Sequence, residues 1–230
     1  MPHIVAHRGG NELGFKPQSY QAYMNACKYA TMLEGDLRWT KDGIIVIHHD
    51  EQLNGTYKGD VNDYNWSTIR DKHTNADGSK VITLGSLLRI AQAQSKSVSL
   101  EFKINPTSTQ IKKVKSELDK YGLRARTRIF SFSGSVINEI QAVGGMNVGI
   151  NSTLPVSVAT AKANGSCVAI DIANLTPAWV NTYTANGIRV QTYTLNTDAE
   201  DKKALTYWSK LDGVITDRPS RTKYWYSVMY

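Results

Sequence analysis

MLEGDLRWTKDGIIVIHHD, residues 32–50, holds two β-like runs, MLEGDLRW (32–39) and IIVIHH (44–49), with only TKDG between them. Asp-Gly is a tight-turn signal, and a parallel partner would need a crossover of about a dozen residues. The second run is therefore expected to fold back antiparallel on the first. A turn centred on residues 41 and 42 sets Glu34 opposite His49, and one centred on Asp42-Gly43 sets Asp36 there. Either register brings acids and an imidazole together.

Outward from this hairpin, further β-rich runs recur at 3–7, 97–103, 128–132, 147–151, 167–171, 188–194 and 213–216. Helical periodicity is read over 19–30, 83–94, 107–122, 134–145, 154–165, 176–187 and 198–210, with several stretches closing on Gly or Asn-Gly. That alternation argues for a parallel sheet. Setting the returning strand at 44–49 aside leaves eight segments joined by helical stretches, so the sequence predicts a (β/α)8 TIM barrel with an antiparallel hairpin strand after the second barrel strand. At 230 residues the chain reads as one barrel domain over 1–230. A polar, turn-rich insertion at about 51–82 is expected to serve as a functional loop over the barrel mouth.

The composition, 41% hydrophobic and 20% charged, is that of a chain able to bury a full core. A net charge of +7 favours an anionic partner. The densest basic stretch, 103–120, alternates with Glu and Asp as on a solvated helix, and no basic stripe with interleaved aromatics appears. Nucleic acid is therefore disfavoured as a partner. Cys27 and Cys167 match no metal-ligand spacing and read as reduced core thiols. No apolar run of about 18 residues occurs, and MPHIVAHRGG has neither a basic n-region nor an apolar h-region. The chain is expected to be soluble and cytoplasmic, with an extracellular or virion-associated setting as the alternative; oligomeric state is not legible.

Barrel active sites gather at the C-terminal ends of the strands. There the sequence places His7 and Arg8 after the first strand, Glu34 and Asp36 on the second, His49 and Asp50 after the returning strand, and Glu101 and Lys103 on the next. Glu34 and Asp36 share one strand face, and two like charges inside a barrel require a counter-charge from a metal or from Arg8 and Lys103. Period-two alternation sends His48 away from His49 and into a structural role. Asp50 is balanced between ligating and orienting. Arg38 and Lys41 read as solvated, His3 and His73 as surface or packing residues, and Asn196 and Asp217 as loop-closing groups. Tyr193, Phe132 and Trp66 are candidates for an aromatic side of the pocket.

HRGG near the start, E-x-D followed by KDG and HD, then LEFK, and finally GVITDRP together resemble the glycerophosphodiester phosphodiesterase family of metal-dependent barrel enzymes. The resemblance runs from residue 3 to about 219 with the elements in the family's order. Two places depart. Where the family shows Pro-Glu-Asn-Thr, this chain has KPQSYQAY, with Gln18 and Ser19 at the Glu and Asn positions. Ser19 remains fit to cap a helix, whereas the missing Glu implies weaker support for the site. Tyr193 stands where the family has Trp.

The resemblance implies hydrolysis of a glycerophosphodiester to sn-glycerol 3-phosphate and an alcohol, with the substrate's own 2-hydroxyl attacking to give a cyclic phosphate. His7 and His49 would form the acid/base pair, and Arg8 and Lys103 would contact phosphate oxygens. Glu34, Asp36 and Glu101 would ligate a hard divalent cation, Mg²⁺, Ca²⁺ or Mn²⁺. The expected partner is a small glycerophosphodiester or, given the basic charge, a glycerol-phosphate polymer such as teichoic acid. Two other readings are a non-catalytic phosphoglycan-binding module and a sphingomyelinase-type phospholipase D.

Overall fold

The computed structural model describes residues 1–229; Tyr230, the last residue of the expected domain, lies outside them. Twelve strands are present among the described residues: β1 (His3–Ala6), β2 (Met32–Trp39), β3 (Ile45–Ile47), β4 (Gln52–Asn54), β5 (Lys58–Asp60), β6 (Ile82–Thr83), β7 (Ser97–Phe102), β8 (Thr127–Ser131), β9 (Asn147–Ser152), β10 (Cys167–Asp171), β11 (Arg189–Leu195) and β12 (Gly213–Thr216). Eight of them, β1, β2 and β7 through β12, pair in parallel, and the β1–β2 pairing closes the ring. This is a (β/α)8 TIM barrel.

Closure of the ring is uneven. The short β1 pairs with β2 only through Val5↔Met32 and Ala6↔Leu33, so the C-terminal half of β2 has a free edge on that side. Antiparallel β3 covers it, with Leu37↔Ile47, Arg38↔Val46 and Trp39↔Ile45 in register, and β6 pairs with β3 beyond. The hairpin is as expected, but neither expected register holds. Thr40 Oγ1–H donates to Asp42 Oδ1 at 2.5 Å, and Gly43 N–H donates to Thr40 O at 2.8 Å, with Gly43 at φ +74°. The strand register and the Thr40 N–H bond to Ile44 O at 3.0 Å centre the turn on Asp42, so His48, not His49, faces Asp36, and the His48 N–H reaches Asp36 O at 3.0 Å.

Segment 51–82 folds into a unit with its own small core. Antiparallel β4–β5 and the helix Trp66–Lys72 pack around Val46, Leu53, Val61, Ile69 and Val81. His73 is fully buried there, accepting from Tyr57 N–H at 3.2 Å. Its apolar residues are too widely spaced to show a period, which is why the sequence reads as loop.

Helices Tyr20–Ala26, Leu84–Ala93, Ser108–Lys120, Gly134–Val143, Val158–Ala163, Pro177–Ala185 and Asp198–Leu205 each begin after a Ser or Thr whose side chain accepts a backbone N–H of the first turn. A last helix, Pro219–Met229, starts on a proline, a residue suited to that position. The main core lies between strands and helices, where Leu33 and Leu37 of β2 meet Leu84 and Leu87. Inside the barrel a smaller cluster, Val5, Met32, Phe130, Cys167, Ala169 and Ile215, closes the bore beneath the polar residues. Cys27 and Cys167 are free and buried. Among the described residues no helix is long and apolar enough to cross a membrane.

Candidate active site

Alternation on β2 turns Leu33 and Leu37 to the helices and Glu34 and Asp36 to the bore. Both acids are buried, and on the neighbouring strand Glu101 pairs in register with Asp36. After β1 the chain turns sharply: Arg8, Gly9 and Gly10 all have positive φ, at +52°, +79° and +79°. A side chain at Gly9 would meet the backbone N of Tyr23 at 3.1 Å, so the HRGG turn requires glycine there. In this turn Arg8 N–H donates to Glu34 Oε2 at 2.7 Å.

A cavity of about 220 Å³ opens over these groups, lined by His7, Arg8, Glu34, His49, Glu101 and Lys103, with Phe130, Phe132 and Tyr193 on its aromatic side. Asp36, 1% exposed, lies just beneath. Its Oδ1 is 3.3 Å from Lys103 Nζ, and its Oδ2 is 3.5 Å from Arg8 Nε and accepts Gln18 Nε2–H at 2.7 Å. Lys103 Nζ also contacts Glu101 Oε1 at 2.6 Å, and Asn151 donates Nδ2–H to Glu101 Oε2 at 3.2 Å.

Each cavity histidine is held by an aspartate. His7 Nδ1–H donates to Asp217 Oδ1 at 2.6 Å, and His49 Nδ1–H donates to Asp50 Oδ1 at 2.8 Å. Both therefore keep Nε2 for proton exchange. Their surroundings differ. Burial alone would lower the His7 pKa, but the Asp217 hydrogen bond and the Glu34 charge outweigh it and hold it above the ordinary imidazole value. Burial lowers His49, with Arg8 and Lys103 adding to the effect against the Asp50 hydrogen bond and the Asp36 charge.

The acids show a site short of positive charge. Burial, then the Asp36 charge, pushes Glu34 up to about 8. Burial and Asp36 also raise Glu101, with Lys103 opposing. Burial would depress Lys103, but Asp36 and Glu101 reverse that and keep it protonated. Among the described residues no three His, Cys, Asp or Glu side chains close on one point, and the Lys103 ammonium bridges Asp36 and Glu101. The donor set nevertheless fits a hard cation in kind: buried carboxylate oxygens, with Glu34 left to a single backbone N–H.

The model of the glycerophosphoryl diester phosphodiesterase family matches residues 7–221. The chain belongs to this family. A glycerophosphodiester phosphodiesterase of Bacillus altitudinis is 24% identical over 96% of this chain and 96% of its own. Among solved structures, a glycerophosphodiester phosphodiesterase from Parabacteroides distasonis superposes with a TM-score of 0.86 at 19% identity, covering 99% of this chain and 97% of that one. A phosphodiesterase from Oleispira antarctica, solved with the product sn-glycerol 3-phosphate, has a TM-score of 0.84 at 19% identity over 97% and 96% of the two chains.

Against this family frame, His7, His49, Arg8, Lys103, Glu34 and Glu101 meet on one cavity, with Asp36 directly below. His48 points elsewhere, its Nε2–H donating to Gln52 O at 3.2 Å. Trp66 does not join the aromatic side; it packs with the insertion core and lines an outer groove. Among the described residues, none of 51–82 lines the cavity. Three residues have site roles the sequence did not disclose. Asp217 holds His7 rather than merely closing a loop. Arg38, expected in solvent, donates Nε–H and Nη2–H to His49 O at 3.1 and 3.0 Å. Gln18, expected to weaken the site, bridges Asp36 and His49.

Proposed function

We propose that this family member hydrolyses a glycerophosphodiester to sn-glycerol 3-phosphate and an alcohol, using His49 as general base and His7 as general acid. The observation that carries the reading is the pair of His–Asp dyads set on one cavity with opposite pKa displacement. A base must be unprotonated at the start and an acid protonated, which matches a lowered His49 and a raised His7. The Oleispira relative's bound product, sn-glycerol 3-phosphate, supports the substrate class.

In this account the phosphodiester anion sits against Arg8 and Lys103, whose charges offset its own. Arg8 lines the cavity while its buried Nε makes no hydrogen bond and faces Asp36 Oδ2 at 3.5 Å. His49 takes the proton of the substrate's 2-hydroxyl as that oxygen attacks phosphorus, and His7 gives a proton to the departing alkoxide. The cyclic phosphate is then opened by water, with the two histidines in exchanged roles. Phe130, Phe132 and Tyr193 offer an apolar wall to carbon-bound hydrogens of the glycerol.

Glu34, Asp36 and Glu101 would hold a divalent cation, Mg²⁺, Ca²⁺ or Mn²⁺, in competition with the Lys103 ammonium for Asp36 and Glu101. When bound, such an ion neutralises phosphate charge and lowers the pKa of an attacking hydroxyl. The test is release of glycerol 3-phosphate from glycerophosphocholine, glycerophosphoethanolamine, glycerophosphoglycerol and purified teichoic acid, after EDTA and then with each cation restored. Cation-restored release supports the reading and ranks the alcohols. No release from any of them by folded protein contradicts it.

A further inference from the structure

Gln18 has left-handed backbone geometry, φ +60°, which a glutamine adopts at a cost. Three hydrogen bonds hold it there. Its N–H donates to Arg8 O at 2.7 Å, its Nε2–H to Asp36 Oδ2 at 2.7 Å, and its Oε1 accepts His49 N–H at 3.0 Å. One side chain thus spans β2 and the segment after β3, while its backbone ties down the HRGG turn. Ser19 follows as the cap of helix Tyr20–Ala26, its Oγ accepting Ala22 N–H at 3.1 Å, so the helix start fixes where Gln18 stands.

The chemistry of the position is restrictive. An amide donates from nitrogen while accepting at oxygen; an ionised carboxylate only accepts. Glutamate here would keep the His49 N–H but set a second anion against Asp36 Oδ2, in a cluster that already holds Glu34, Asp36 and Glu101 against Arg8 and Lys103. Asparagine keeps the amide and tolerates positive φ better, yet is one methylene too short to reach both partners.

We propose that Gln18 is a positioning residue that couples Asp36 to His49, setting the acid cluster and the proton-transferring segment as one unit without adding a negative charge. The catalytic part of this inference rests on the proposed phosphodiesterase reading; the coupling itself does not.

The experiment compares wild type, Gln18→Asn and Gln18→Glu by hydrogen exchange of the His49 amide, by thermal midpoint in EDTA and with Ca²⁺ or Mg²⁺ added, and by kcat and KM on glycerophosphocholine. For Gln18→Asn the expected result is faster exchange at His49 and a kcat about 10-fold to 100-fold lower, with KM changed far less. For Gln18→Glu the His49 amide stays protected, while the midpoint in EDTA falls and the added cation restores more of it than in wild type. Unchanged His49 exchange and kcat in a folded Gln18→Asn protein would overturn the proposal, as would a Gln18→Glu midpoint in EDTA equal to wild type. If wild type itself releases no glycerol 3-phosphate while the exchange and midpoint results appear as expected, the phosphodiesterase reading fails and the coupling stands.

Discussion

His7 Nδ1 and Asp217 Oδ1 lie 2.6 Å apart although 210 residues separate them in the chain. The contact follows from closure of the barrel, because β1 and β12 are neighbours and each carries one of the two residues just beyond its C-terminal end.

Removing that carboxylate should lower the His7 pKa, since Asp217 is the main influence raising it against burial. If protonated His7 is required, activity is lost as pH rises through its pKa. For Asp217→Asn, the alkaline limb of the kcat/KM profile should therefore move to lower pH, and kcat should drop about 10-fold to 100-fold. A profile superimposable on wild type would remove His7 from the acid role.

Replacing either histidine separates chemistry from binding. His7→Ala and His49→Ala should each lower kcat by about 10²–10⁴, the usual worth of a positioned acid or base, and leave affinity for glycerol 3-phosphate within a few-fold. Titration calorimetry with that ligand checks the second half.

Stability without cation should depend on pH in a defined direction. Glu34 rises from an ordinary 4.5 to about 8 on folding, so between those values the folded state binds more protons than the unfolded one. Stability is then lost as pH rises through that window, and Glu101, also raised, adds in the same sense. In EDTA the thermal midpoint should fall between about pH 5 and pH 8 more steeply for wild type than for Glu34→Gln, and a bound divalent cation should flatten the wild-type curve. Parallel curves for the two proteins would rule out Glu34 as the source.

The fold was legible because its strongest signals are local. A short TKDG link forbids a parallel crossover, and helical stretches closing on Gly or Asn-Gly punctuate the remainder. The turn register was not, because the strands are joined by a three-residue loop, Lys41 to Gly43, whose odd length centres the connection on Asp42. The main site residues could be collected because each lies on a strand or just beyond one. Gln18, Arg38 and Asp217 could not, because their partners are brought to them only by tertiary closure, and a polar residue in a loop looks the same whether it meets water or His49.

One glycine keeps the floor of the cavity in place. A side chain at Gly149 on β9 would lie 2.6 Å from Phe130 Cε1 and 2.9 Å from Cys167 O. Gly149→Ala should cost about 1–3 kcal/mol in denaturant unfolding, the range for an overpacked core, and raise KM by displacing the Phe130 ring. Wild-type stability would show that the barrel interior has room to spare.

The most direct test of the central claim is a ³¹P NMR time course of glycerophosphocholine with the cation-loaded protein and with its His49→Ala variant. The account predicts that the diester signal gives way to glycerol 3-phosphate in wild type, with a cyclic phosphate signal between them where its hydrolysis is the slower step, and that the variant leaves the diester intact on the same timescale. Glycerol 3-phosphate appearing at the wild-type rate from the variant, or an unchanged diester with loaded wild type, would contradict it.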